Sequence, residues 1–162
     1  MVMTAFKGSL CSLVLVCALV MSTTLGSASQ GLPDRIDGQD ILSMISKNKG
    51  KVVLINFWAT WCSACRQEIK ELQSVRQAFS QKQLVIAGIA MDDQSSLQAY
   101  LRKRPVSYPI YSAEPDVKYL FSISGVPKTM VYDRQGQLAL KRFGYVPDRR
   151  LRELIRSLLE AE

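Results

Sequence analysis

The sequence predicts an α/β domain built on a mixed central sheet with helices on both faces. Three observations lead there. Two unbroken apolar, β-branched runs, "KVVLINFW" at residues 51–58 and "QLVIAGIAM" at 83–91, read as strands buried on both faces. Between them Ile69, Leu72, Val75 and Phe79 recur at helical spacing, so a helical crossover joins two parallel strands. Later "KTMVYD", "RQGQ" and "LALKRFG" read as strand, turn and strand, which adds an antiparallel hairpin.

The chain begins with an address. Lys7 is the only charged side chain before Asp34. "SLCSLVLVCALVM", residues 9–21, has the length of a signal-peptide apolar region and falls short of the roughly 20 residues of a comfortable membrane span. "STTLGSASQ" follows, with small residues suited to signal cleavage. Residues 1–29 therefore read as a signal peptide or an N-terminal membrane anchor, and residues 30–162 as one domain. Either alternative places that domain in the periplasm or another extracytoplasmic space. Cys11 and Cys17 do not follow the small residue of a lipoprotein cleavage site and leave with a cleaved signal. Cys62 and Cys65 are then the cysteines that remain.

The other elements follow in order. A polar lead-in gives way to a short amphipathic helix at residues 39–46, ended by Asn48 and Gly50. The crossover helix covers residues 62–80. "DDQSSLQAYLRKR" is a helix with acids and serines at its start, which suits the helix dipole. "SYPIYS" is short and extended, and "EPDVKYLFSI" is one or two helical turns. The chain ends in an amphipathic helix whose stripe is Leu151, Leu154, Ile155, Leu158 and Leu159. Its arginines Arg149, Arg150, Arg152 and Arg156 read as a solvated face.

Composition removes several functions. Hydrophobic residues make up 48%, which excludes a disordered chain. Lys+Arg is 21 and Asp+Glu is 14, a net charge of +7, yet the cations form no block and no nucleic-acid motif is present. Histidine is absent, which removes Ser-His and Cys-His catalysis and most zinc and copper sites.

That leaves "CSAC". A zinc site needs two more ligands, which the mature chain does not supply as Cys or His. An inert disulfide closing so small a loop stabilises little. A redox dithiol fits a strand that ends where a helix begins. Free N–H groups and the helix dipole there stabilise a thiolate at Cys62, and Cys65 lies one turn in, placed to resolve a mixed disulfide.

"FWATWCSAC", followed much later by "GVPKT", resembles the thioredoxin superfamily. Within it the chain is similar to the exported TlpA/ResA/CcmG-like branch. The marks are "VVLINFWATWC" before the dithiol, Glu68 after it, "AMDD" ending the next strand, and "YPIYSAEPDVKYLFSISGVPKTMVYDRQGQ" spanning the branch's insertion, the proline and the hairpin. The similarity covers nearly all of residues 34–162. It implies a thioredoxin fold with the TlpA/ResA-type insertion, and a cis bond at Val126–Pro127 beside the Cys62/Cys65 redox pair. It implies a thiol–disulfide oxidoreductase that reduces exported partner proteins, apocytochrome c or a copper-site protein, and is itself reduced by a membrane thiol electron donor. It implies no cofactor and no metal. A thiol oxidant or isomerase, a copper-site thiol reductase and a metallochaperone are the alternatives.

Individual residues carry further expectations. Asn56 stands where thioredoxin has a buried aspartate, six residues before the first cysteine. Glu68, at i+3 from Cys65, is then the candidate proton acceptor; otherwise it is a helix-start acid favoured by the dipole. Asp92 or Asp93 comes next. Lys70 stands where many relatives kink the helix with proline. Lys128, where the family usually has a small residue, is either a surface lysine or a charge that lowers the Cys62 pKa. Trp58 belongs to the core and Trp61 to a partner contact beside the dithiol. The Val126 backbone offers hydrogen bonds to an extended substrate strand next to Pro127.

Overall fold

The computed structural model describes residues 33–161. The signal peptide or anchor expected over residues 1–29 lies outside the described residues. In chain order the elements are β1 (Arg35–Ile36), α1 (Gly38–Lys47), β2 (Val52–Trp58), α2 (Ser63–Ala78), β3 (Leu84–Ala90) and α3 (Gln94–Lys103). Then come β4 (Ile110–Ala113), α4 (Pro115–Leu120), β5 (Lys128–Tyr132), β6 (Leu138–Phe143) and α5 (Asp148–Glu160). The strands form one sheet in the order β1-β4-β3-β2-β5-β6. β1, β4, β3 and β2 pair in parallel, and β5 runs antiparallel to both β2 and β6. Among the described residues no helix is long and apolar enough to cross a membrane.

β2 is buried at every position because helices cover both faces of the sheet there. Val53, Ile55 and Phe57 pack with Ile41 and Ile45 of α1 and Val117 of α4. Leu54 points the other way, onto Leu72 and Val75 of α2 and Leu151 and Ile155 of α5. Trp58, on that same face, meets Cys65 and Ile69 of α2 and Leu97 of α3. A strand alternates its side chains between faces, so the residue between Leu54 and Trp58 on the α2 side is Asn56.

Two expectations need correction. The polar lead-in contains a strand. β1 pairs with β4 through Ser112 N–H to Asp34 O at 2.9 Å and Glu114 N–H to Ile36 O at 2.8 Å, and Arg35 pairs with Glu114. Two residues are too few to show an alternation. The basic face of α5 is not wholly solvated either. Arg152 is partly buried, 3.1 Å from Asp148, and donates to the Ser74 carbonyl at 3.2 Å, so it ties α5 to α2.

The parallel strands end together. Trp58 pairs with Ala90, and Met91 N–H donates to Trp58 O at 2.9 Å. This carboxyl edge, where the loops leave the sheet, is where open α/β sheets place their sites. Just behind it Gly88 pairs with Asn56. A Cβ there would lie 2.5 Å from Ile110 Cδ1, 3.2 Å from Trp58 Nε1 and 3.3 Å from Tyr108 Cε2. Gly88→Ala is expected to destabilise the fold by about 1–3 kcal/mol through overpacking, read as a lower midpoint in urea unfolding.

Candidate active site

β2 delivers the chain to the site at Trp58, and a short loop turns it into α2. Asp92 fixes that loop. Its carboxylate accepts from Thr60 N–H and from Thr60 Oγ1, both at 2.8 Å. Arg66 donates back to the Thr60 carbonyl at 2.9 Å. Cys62 is the N-cap of α2, with extended φ and ψ, and its sulfur accepts from Cys65 N–H at 3.1 Å. The two cysteines are joined as a disulfide with Cα atoms 5.2 Å apart. Cys62 is 8% exposed and Cys65 0%, while Trp61, next to Cys62, is 72% exposed. Cys62 therefore keeps a little exposed surface, and Cys65 keeps none.

The Cys62 sulfur faces a second segment. The Val126–Pro127 bond is cis, as the resemblance implies, and the Val126 carbonyl oxygen is 3.8 Å from Cys62 Sγ. The Pro127 carbonyl accepts from Gly144 N–H at 2.9 Å, which ties the segment to the end of β6. Lys128 is not a surface lysine. It is fully buried. Its Nζ donates to the carbonyls of Phe121 at 2.6 Å and Ser122 at 2.9 Å, and lies 4.7 Å from the Phe143 ring centroid. Burial, and then the neighbouring charge of Lys141, lower its pKa from the usual lysine value. Its ammonium anchors the two carbonyls just past α4, from which the chain leads to the cis-proline.

Glu68 lies below the disulfide on α2. It is past the first turn and fully buried, so attraction to the helix dipole does not account for it. Its Oε1 accepts from Thr129 Oγ1 and from Val146 N–H, both at 3.1 Å. Its Oε2 accepts from Asn56 Nδ2 at 2.9 Å. Asn56 Nδ2 also donates to Thr129 Oγ1 at 2.9 Å, across the β2–β5 pair in which the two residues sit opposite each other. Burial pushes the Glu68 carboxyl up to about 6, and the bonds from Thr129, Asn56 and Val146 restrain the rise. Of the other acids, Asp92 is engaged with Thr60, and Asp93 is the N-cap of α3, accepting from Ser96 N–H at 3.0 Å.

The structure thus brings Cys62, Cys65, Trp61, Val126 and Pro127 to one edge, with Glu68 beneath. Sequence reasoning missed Thr129, the Val146 N–H and the Asp92–Thr60 clamp. Thr129 lies in the quoted "GVPKT", but its partner follows only from the β2–β5 register.

Fold and site together define a thioredoxin-fold protein with a redox-type disulfide at a helix start. The AhpC/TSA family model matches residues 31–141, and the chain belongs to that family. Within it, the chain falls in the TlpA/ResA/CcmG-like branch. It is 29% identical over 97 residues to the thioredoxin-like protein YneN of Bacillus subtilis, covering 58% of this chain and 57% of that protein. It is 31% identical over 115 residues to the thiol:disulfide interchange protein DsbE of Pseudomonas aeruginosa, covering 69% and 62%. A solved thiol:disulfide interchange protein of the thioredoxin family, from Chlorobium tepidum, superposes with a TM-score of 0.64 at 26% identity, covering 70% of this chain and 83% of that one. The chain spans 50% to 62% of the length of the first curated relatives it matches.

The Glu68 carboxyl gives a stability test with a definite sign. Its folded pKa of about 6 lies above the ordinary 4.5, so the folded state holds this proton longer than the unfolded one. The contribution is full below pH 4.5 and is lost as pH rises through 6, a change of about 2 kcal/mol. Denaturant unfolding of the oxidised protein at stepped pH should show this decline, and Glu68→Gln should remove it.

Proposed function

We propose that this chain is an extracytoplasmic thiol–disulfide oxidoreductase that reduces disulfides of exported partner proteins, with apocytochrome c and copper-site proteins as the substrate classes. The observation that carries the reading is the asymmetry of the pair. Cys62 is the partly reachable cap of α2 beside the Val126 carbonyl, and Cys65 is sealed. The names of the relatives, thiol:disulfide interchange proteins among them, support it.

In the reduced protein the Cys62 thiolate is stabilised by the Cys65 N–H and the start of α2. It attacks one sulfur of the partner's disulfide. A Cys62–partner bond forms, and the partner's other sulfur leaves as thiolate. Cys65 then loses its proton and attacks Cys62 Sγ. The Cys62–Cys65 bond forms, the partner departs fully reduced, and two electrons have moved. Glu68 takes the Cys65 proton. Oε1 already accepts two hydrogen bonds and Oε2 only one, so the proton is received at Oε2. The partner lies extended along the Val126 backbone as an added strand, against the exposed Trp61 ring. A membrane thiol donor returns the disulfide to the dithiol, and residues 1–29 carry the chain to that membrane or through it.

Two measurements test the reading. Cys65→Ser should accumulate mixed disulfides through Cys62 with exported proteins, and the wild-type pair should have a reduction potential near about −270 mV. A value near about −120 mV would make the chain an oxidant instead. For the proton step, closure of the Cys62–partner disulfide should slow as pH falls through about 6 in wild type, because Glu68 must be ionised to accept. Glu68→Gln should close about a hundredfold more slowly and lack that limb of the profile.

A further inference from the structure

Between the end of α4 and the end of β6 lies a shallow, open groove of about 560 Å³ that the chemistry above does not use. Tyr119 and Phe143 are its exposed aromatic walls, 79% and 48% exposed. Lys118 and Lys141 stand on either side, with buried Lys128 at its base. No acid lines it. Asp116 of α4 is turned away to accept from Gly38 N–H at 2.8 Å. The cations are near enough that Lys141 disfavours the charged form of Lys128. The Lys128 ammonium is held by two carbonyls and faces the Phe143 ring, so it fixes the groove's shape, while Lys118 and Lys141 supply its uncompensated charge.

The groove and the site share a backbone segment. Ser122, Ile123 and Ser124 line it, and the same segment reaches Val126, whose carbonyl faces Cys62. Phe143, its other wall, pairs with Lys128, and the next residue, Gly144, donates to the Pro127 carbonyl.

We propose that this groove docks an acidic segment bearing an apolar side chain, located beside the disulfide of the protein substrate. The proposal rests on the reductase reading above, because the docked segment presents its disulfide to Cys62. Acidic side chains meet Lys118 and Lys141, and the apolar one inserts between Tyr119 and Phe143. Charge at an exposed rim acts mainly on the association rate and is screened by salt, so discrimination among substrates should be greatest at low ionic strength.

The test uses two synthetic peptides with the same cysteine, one flanked by Asp, Glu and Phe and the other by Lys and Ser. Each is prepared as a mixed disulfide with thionitrobenzoate for kinetics, and with serine in place of cysteine for binding. The reduced protein should react about tenfold faster with the acidic peptide at low salt, an advantage of the size two exposed ion pairs give, and high salt should erase it. Lys118→Glu/Lys141→Glu should reverse the preference while reducing the neutral hydroxyethyl disulfide at the wild-type rate. The acidic serine peptide should shift the Tyr119 and Phe143 ring resonances, and the double variant should abolish those shifts. Equal rates for both peptides, or ring shifts that survive the charge reversal, would overturn the groove. Failure to reduce the neutral disulfide would overturn the reductase reading instead, and the ring shifts would still judge the groove.

Discussion

A carboxylate with no exposed surface is the constraint around which this domain is arranged. Glu68 sits inside the α2 face of the sheet, where an isolated ionised carboxylate would be too costly to keep. Three elements supply its donors: Asn56 from β2, Thr129 from β5 and the Val146 N–H from the connection into α5. Each donor also fixes its own element. The Asn56–Thr129 bond holds the β2–β5 register, and the Val146 bond seats the start of α5 on α2. Nearby, Glu71 accepts from Tyr145 Oη at 2.8 Å and from Asp148 N–H at 3.2 Å, so the α5 entry is held twice from the same helix. The position proposed to take the Cys65 proton is therefore also a junction of the fold.

The two segments that meet at Cys62 Sγ are held by different means. The Cys62 side is a loop clamped by a carboxylate, with Asp92 binding both the N–H and the hydroxyl of Thr60. The Val126 side is a segment clamped by an ammonium, with Lys128 binding the carbonyls where α4 ends. Both clamps hold backbone atoms, and Asp92 holds the Thr60 hydroxyl as well. Residues that shape the site thus need not touch sulfur, and the separation of 3.8 Å between Cys62 Sγ and the Val126 carbonyl is set by groups on either side of it.

What could be read from the sequence follows from how local each signal is. β2, β3, α2 and α5 announce themselves by unbroken or periodic apolar runs, and the cysteine pair by its place where a strand becomes a helix. β1 has two residues and one charge, so its pairing with β4 leaves no local mark. Lys128 shows the same limit in a side chain. From the sequence it is a charge beside a proline; only the pairing of β5 between β2 and β6 buries it and aims its nitrogen back at α4. Glu68 was legible as a candidate through its spacing from Cys65, but not its partners, because Thr129 and Val146 are 61 and 78 residues away.

The identity of residue 56 decides how Glu68 can behave. Asn56 Nδ2 approaches Glu68 Oε2 to 2.9 Å. An aspartate there would set two carboxyl groups within hydrogen-bond distance in a buried site. Like charges so close cannot both ionise, so the two would share a proton and titrate as a pair. The neutral amide removes that coupling and supplies a donor that favours the charged form of Glu68. Burial pushes the carboxyl up, the three donors hold it down, and the balance falls near 6. A carboxyl near that value suits the acceptor role proposed for Glu68, since it is mostly ionised near neutral pH and still basic enough to hold a proton. In the proposed reaction a single carboxyl opposite an amide takes the proton without the mutual repulsion that a second acid would bring.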